Sequence, residues 1–145
     1  MTLSEFSIKN NIKESTATII KWIDSGYIPG AWYNHQTKES YLPPSARKPD
    51  TKANPNAKPY AIYKRMAWAI DKNYRPISQK YPNIDFNAYI RDLERSNLLS
   101  IRTDEDGYEY YDPTPLTHDY ACGTKNEFIQ FLISVGIGVI GLLPA

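Results

Sequence analysis

One cysteine, Cys122, and two histidines, His35 and His118, are a thin supply of reactive side chains for a chain of 145 residues. A single thiol excludes an internal disulfide and points to a reducing compartment. The first residues, MTLSEFSIKNN, lack the basic-then-apolar layout of a secretion signal, so a cytoplasmic location is expected. His118-Asp119 with Cys122 makes a fragment of a metal or nucleophile site, but no neighbouring cluster completes it. A loop histidine near a buried thiol is the expectation there. The acidic run Asp104-Glu105-Asp106 is too short for a calcium loop and reads as a solvated turn. Gly136-x-Gly138-x-x-Gly141 matches a dinucleotide fingerprint in letters. That fingerprint needs a helix, a strand and an acidic residue after it, and four residues remain. No enzyme activity, cofactor or metal is expected.

Long apolar runs are also scarce. The one present, FIQFLISVGIGVIGLLPA, is uncharged but short for a bilayer span and lacks flanking aromatic or basic anchors. A buried terminal helix or a dimerisation element is expected, with a membrane tail as the alternative. Ser134, Gly138 and Gly141 would form a small-residue stripe on such a helix.

Aromatic residues are abundant, with twelve tyrosines and three tryptophans, and they suit both cores and binding surfaces. The net charge of +1 hides an asymmetry. From Met1 to Arg65 there are ten Lys/Arg against five Asp/Glu; from Met66 to Ala145 there are seven against eleven. A basic first half points to a polyanionic partner.

Residues 43–59, PPSARKPDTKANPNAKP, hold five prolines and four basic residues. Proline denies both helix and ladder hydrogen bonds, so an extended, solvated linker is expected, at 46–59. It separates a unit at 1–45 from one at 60–145. In the first unit, Leu3 to Asn10 suits a short helix with Leu3, Phe6 and Ile8 inward. A second helix spans Ser15 to Ser25, with Ser15 or Thr16 as N-cap and Gly26 just past its end. Ile19, Trp22 and Ile23 share its apolar face, and Glu14, Ala17, Lys21 and Asp24 lie opposite. Tyr27–Tyr33 and Ser40–Leu42 are strand candidates around the polar turn NHQTKE. Helix, helix, hairpin is the order of a minimal winged helix.

The second unit repeats that order. Ile62, Met66, Ala69 and Ile70 recur at helical spacing. Phe86, Tyr89, Ile90, Leu93 and Leu98 make a second stripe, with Asp85 as N-cap. LLSIRT and YEYY flank the Asp-Gly of DEDG, a hairpin signal. The expected fold is mainly α with small β-hairpin wings: a winged helix-turn-helix, a second winged-helix-like module and a C-terminal apolar helix.

A winged helix places its second helix in the major groove and its hairpin on the backbone or minor groove. Lys13, Ser15, Thr16, Ala17, Thr18 and Lys21 on the helix, with Asn34, His35, Gln36 and Lys38 on the wing, are the candidate DNA-binding residues. Hydroxyls and free amides at the helix start suit a phosphate, Ala17 permits close approach, and Lys21 reaches guanine or phosphate. Glu14 and Asp24 count against this, because phosphates repel carboxylates. They support the alternative of an adaptor that binds protein.

Ser15, Thr18-Ile19, Trp22-Ile23, Gly26, Ile28-Pro29-Gly30-Ala31 and Tyr41-Leu42-Pro43 together resemble the MerR-like, excisionase-type helix-turn-helix family. The resemblance covers about a third of the chain. Ile12 precedes Trp22 by more residues than is usual in the family, and Ile20 stands where a polar residue is common. The resemblance implies sequence-specific double-stranded DNA binding without catalysis, as a transcription regulator or excisionase of a mobile element. The expected assembly is a homodimer or higher homo-oligomer through residues 60–145, with a recombinase or other regulatory protein as a further partner. A membrane is not an expected partner.

Overall fold

A computed structural model describes residues 1–52, 56–105 and 107–137. They are mainly helical, with two small antiparallel hairpins, and no helix among them is long and apolar enough to cross a membrane.

The first unit follows its sequence closely. Helix α1, Leu3–Lys9, starts where the Thr2 hydroxyl accepts from the Glu5 amide at 3.1 Å. Phe6 is fully buried, whereas Ile8, expected inward, is 81% exposed. At two residues past Phe6 it is turned about 200° away from it, off the buried stripe. Helix α2, Thr16–Asp24, is capped by the Ser15 hydroxyl, which accepts from the Thr18 amide at 3.3 Å. Ile19, Trp22 and Ile23 are buried, joined by Phe6, Ile28, Leu42 and Ala46 in one apolar core. The strands are shorter than expected: β1 is Trp32–Tyr33 and β2 is Ser40–Tyr41. Ile28 and Leu42 are buried beyond the strand ends rather than within the ladder.

The end of α2 explains the abrupt change of character in WIDSGYIPGAW. Gly26 takes φ +74°, its amide donates to Ile23 and the Tyr27 amide donates to Trp22. This is a Schellman motif, and Gly26 occupies its left-handed position without a Cβ penalty. Tyr27 then packs back on the core beneath it. The same pair of hydrogen bonds closes four more helices, around Asn11, Asn73, Asn97 and Gly136, all at positive φ.

The second unit is built on helix α3, Pro59–Asp71, with proline at its first turn, where a missing N–H costs nothing. Ile62, Tyr63, Met66, Ala67, Ala69 and Ile70 are all buried, so this helix is wrapped on several sides. A short 3-10 turn, Ser78–Lys80, leads to α4, Phe86–Arg95, capped as expected by Asp85, which accepts from the Ala88 amide at 3.1 Å. Strands β3, Ser100–Thr103, and β4, Glu109–Asp112, pair with Ile101 opposite Tyr111. The order helix, helix, hairpin thus recurs. Two more helices follow: α5, Thr117–Ala121, and α6, Lys125–Ser134, the latter opened by a Thr124/Glu127 capping box.

Phe128, Ile129, Leu132 and Ile137 are buried in the chain itself, with Phe128, Leu132 and Ile137 in the core around α3. The apolar tail is therefore a terminal core element as far as Ile137. Gly138 and Gly141, the rest of the small-residue stripe, lie outside the described residues. Gly136 closes α6 instead of opening a phosphate-binding helix.

The expected solvated linker is a packed joint where residues 43–52 are described. Pro43, Ala46, Pro49 and Asp50 are buried. Pro49 forms a parallel bridge with Arg75, in which the Asp50 amide donates to Arg75 and the Arg75 amide donates to Lys48, both at 2.9 Å. The proline needs no N–H because its two neighbours supply the bonds. Two basic residues of the stretch, Arg47 and Lys48, form cross-links, whereas Lys52 and Lys58 are exposed. Arg47 donates to the Tyr111 carbonyl at 2.5 Å and the Asp112 carboxylate at 2.8 Å, and Lys48 reaches Glu14 at 2.7 Å. Arg65 holds Asp50 by two bonds of 2.8 and 2.6 Å and stacks on Trp68 at 4.3 Å.

Asp50 is 5% exposed, so truncating it strands a guanidinium in a confined site. Asp50→Ala should lower unfolding free energy by about 3 kcal/mol in denaturant titration, the scale of a broken buried pair. Burial alone would raise the Asp112 carboxyl, but hydrogen bonds from Arg102 and Arg47 outweigh it and hold the group below its usual range. A depressed carboxylate adds stability above its unfolded value, about pH 4, and that stability is lost as pH falls through the folded value. Asp112→Asn should therefore show a smaller loss of stability between pH 6 and pH 2.5 than the parent chain.

Candidate nucleic-acid interface

The exposed face of α2 and the tip of the β1–β2 hairpin form one continuous surface. The link is a contact between Asp24, at the end of the helix, and His35, in the turn. His35 Nε2 lies 2.8 Å from Asp24 Oδ2. A carboxylate only accepts, so Nε2 carries the proton in this contact. The edge of the His35 ring also meets Tyr33, with centroids 4.8 Å apart at 83°.

The turn is built by Asn34. Its side-chain oxygen accepts from the Gln36 and Thr37 amides at 2.9 and 3.2 Å, and its carbonyl accepts from the Lys38 amide at 2.7 Å. Lys38 sits at φ +62° in the left-handed region. A residue with a Cβ is disfavoured there by roughly 1 kcal/mol, so a lysine is held at a position where glycine would be unstrained.

Of the ten residues singled out from sequence, Lys13, Ser15, Thr16, Ala17, Lys21, Asn34, His35, Gln36 and Lys38 are exposed, and Thr18 is half-buried. Ser15 and Thr18 hydroxyls lie 3.2 Å apart, so both are partly committed to the cap. Asn34 is first a turn-former, with its oxygen fully engaged. Ala17 and Lys21, one turn apart, face away from the buried Ile19, Trp22 and Ile23. Ile20 is half-buried. Trp32, 50% exposed on β1, was not among the residues singled out, although alternation along a two-residue strand places it opposite to the core-packed Tyr33.

The charge pattern is clearer in space than in sequence. Arg47, Lys48 and Arg65 belong to the basic first half but are paired with Asp112, Glu14 and Asp50. Lys13, Lys21 and Lys38 have no ion-pair partner among the described residues. From Lys13 to the end of the hairpin the carboxylates are Glu14, Asp24 and the exposed Glu39. Glu14 is neutralised by Lys48, whose hydrogen bond holds its carboxyl below the usual range. Asp24 accepts from His35. The two residues that argued against a polyanion are thus both occupied by the protein's own donors.

The His118 fragment also changes. His118 lies on α5, not in a loop, and Cys122 at its end is exposed rather than buried. The missing partner is Asp71, at the end of α3. A separation of 47 residues hid it from any reading by local spacing.

Comparison with family models, with curated proteins and with solved structures found no match.

Asn34→Ala removes two hydrogen bonds to the turn and should destabilise the first unit by about 1–2 kcal/mol. Hydrogen exchange should show faster exchange at Gln36 and Thr37, with the amides of α6 unchanged.

Proposed function

We propose that the chain is a sequence-specific DNA-binding regulator whose first unit works as a winged helix-turn-helix. The observation that carries this reading is the joined α2–hairpin surface, on which Lys13, Lys21 and Lys38 have no ion-pair partner among the described residues while Glu14 and Asp24 are occupied. In this reading α2 enters the major groove. Ala17 allows close approach, Lys21 reaches a base edge or phosphate, and the opening amides of the helix, which have no intrahelical acceptor, meet a phosphate. The hairpin lies on the adjacent backbone through Lys38 and Gln36, with His35 holding it to the end of α2.

The left-handed Lys38 supports the same reading. A cation kept where glycine would be more stable is explained by contact with a polyanion. The resemblance to MerR-like, excisionase-type domains implies transcription regulation or DNA bending for a recombinase, in the cytoplasm. One small module makes few phosphate contacts, so pairing of chains through residues 60–145 would raise affinity by effective concentration. Since Phe128, Leu132 and Ile137 are core residues, that pairing rests on other surfaces of the second unit.

Binding to fragmented genomic DNA, followed by anisotropy, should weaken steeply as salt rises. Lys21→Ala should weaken binding and reduce the salt slope by about one counterion. Lys38→Gly should split the two properties, gaining up to about 1 kcal/mol of stability while losing affinity. Absence of binding at low salt would sink the DNA reading. It would leave a protein-binding adaptor, which the exposed Trp32 and Ile8 favour.

A further inference from the structure

Asp71, His118 and Cys122 bring three different ligand types to one point on the second unit. Asp71 ends α3, and His118 and Cys122 are four residues apart on and just after α5, which places them on one face. His118 Nδ1 lies 2.9 Å from Asp71 Oδ2, and the Cys122 sulfur lies 3.7 Å from each of those atoms. A triangle with these edges has a point about 2.0 Å from every corner, where zinc bonds to nitrogen and oxygen are about 2.0–2.2 Å and to sulfur about 2.3 Å. An ion displaced slightly from that plane meets all three lengths without a rotamer change.

Two further observations point to a cation. Asp71 is a carboxylate with a side chain only 11% exposed, at the negative end of a helix whose last turn contains no basic residue. A cation beside it would be favoured by the helix dipole. Lys72 comes only to 3.8 Å, with its side chain 44% exposed. A His118–Asp71 ion pair accounts for one edge of the triangle but not for a sulfur equidistant from both partners. The geometry also differs from a nucleophile relay, in which thiol and carboxylate address opposite ring nitrogens. Here both face Nδ1, as ligands of a shared ion do.

We infer that Asp71, His118 and Cys122 form a binding site for a zinc ion, with a fourth position open to water. The mixture of carboxylate, imidazole and thiolate suits zinc over magnesium or calcium. His118 is 65% exposed and Cys122 is exposed, which leaves the outer side of the site accessible. Without the ion, His118 Nδ1–H donates to the Asp71 carboxylate. Binding therefore takes the tautomer that carries the proton on Nε2, freeing the Nδ1 lone pair, and the Cys122 thiol releases its proton to solvent. The ion would pin the end of α3 to α5. This inference is independent of the DNA reading.

Cobalt(II) titration of the untagged, reduced full-length chain tests it, since a thiolate ligand gives a ligand-to-metal charge-transfer band. The expected result is a single equivalent of cobalt with that band and intense visible bands of a tetrahedral ion, bleached by zinc. Cys122→Ser should abolish the charge-transfer band. His118→Ala and Asp71→Asn should each weaken affinity more than about a hundredfold, beyond the loss typical of a supporting residue. Zinc should also raise the melting temperature of the parent chain and leave that of Cys122→Ser unchanged, with apo melting curves showing that the variants fold. A missing charge-transfer band, or one that survives unchanged in both His118→Ala and Asp71→Asn, would overturn the site.

Discussion

The buried pair of Asp50 and Arg65 is the constraint on which the arrangement of this molecule depends. The described residues form two separate apolar cores, one around Trp22 and one around Met66. Polar contacts join them: the bidentate Asp50–Arg65 pair, the Pro49–Arg75 bridge, the reach of Arg47 and Lys48 in opposite directions, and the Gln79 amide that donates to the Gly26 carbonyl. A carboxylate as buried as Asp50 is costly without a partner, and the planar fork of Arg65 satisfies both its oxygens at once. Trp68 shields the other face of the guanidinium. With Asp50 fixed, the backbone on either side is held against Arg75. Arg47 then meets Asp112, and Lys48 meets Glu14.

This joint also decides which charges remain for a partner. It takes up Arg47, Lys48 and Arg65, but Glu14 and Asp50 are carboxylates of the same half, so only the Arg47–Asp112 pair draws on the cationic surplus of the first half. Pairing Glu14 with Lys48 at the entrance to α2 has the reverse effect locally and removes the carboxylate next to Lys13 as an opposing charge. Asp24 and the exposed Glu39 remain as carboxylates of the α2–hairpin surface. A folding contact thus shapes the candidate interface from a distance.

Local signals were the legible part. Ser15, Asp85 and the Asp-Gly turn marked helix starts and a hairpin because caps and turns depend on neighbouring residues. The stripes through Ile19–Trp22–Ile23 and Ile62–Met66–Ile70 marked both cores for the same reason. Gly26 announced a helix end, yet Asn11, Asn73 and Asn97 do the same work. Each is followed by a residue that packs back on the helix: Ile12, Tyr74 and Leu98. Asparagine in the left-handed region gives a weaker signal than glycine, since its side chain also fits ordinary loops. What local reading missed is long-range pairing. A proline-rich, basic stretch looks solvated until Asp112, Glu14 and Arg75 arrive from elsewhere in the chain. His118 and Cys122 look incomplete until α3 delivers Asp71.

The central functional claim is that α2 and the β1–β2 hairpin act as one polyanion-facing surface. Amide chemical-shift mapping tests it most directly, with genomic DNA fragments of the source titrated into the labelled chain at low salt. Perturbation should concentrate at residues 13–21 and 34–38 and leave the α3–α6 core unaffected. Perturbation centred on the second unit, or none at all under those conditions, would contradict that claim.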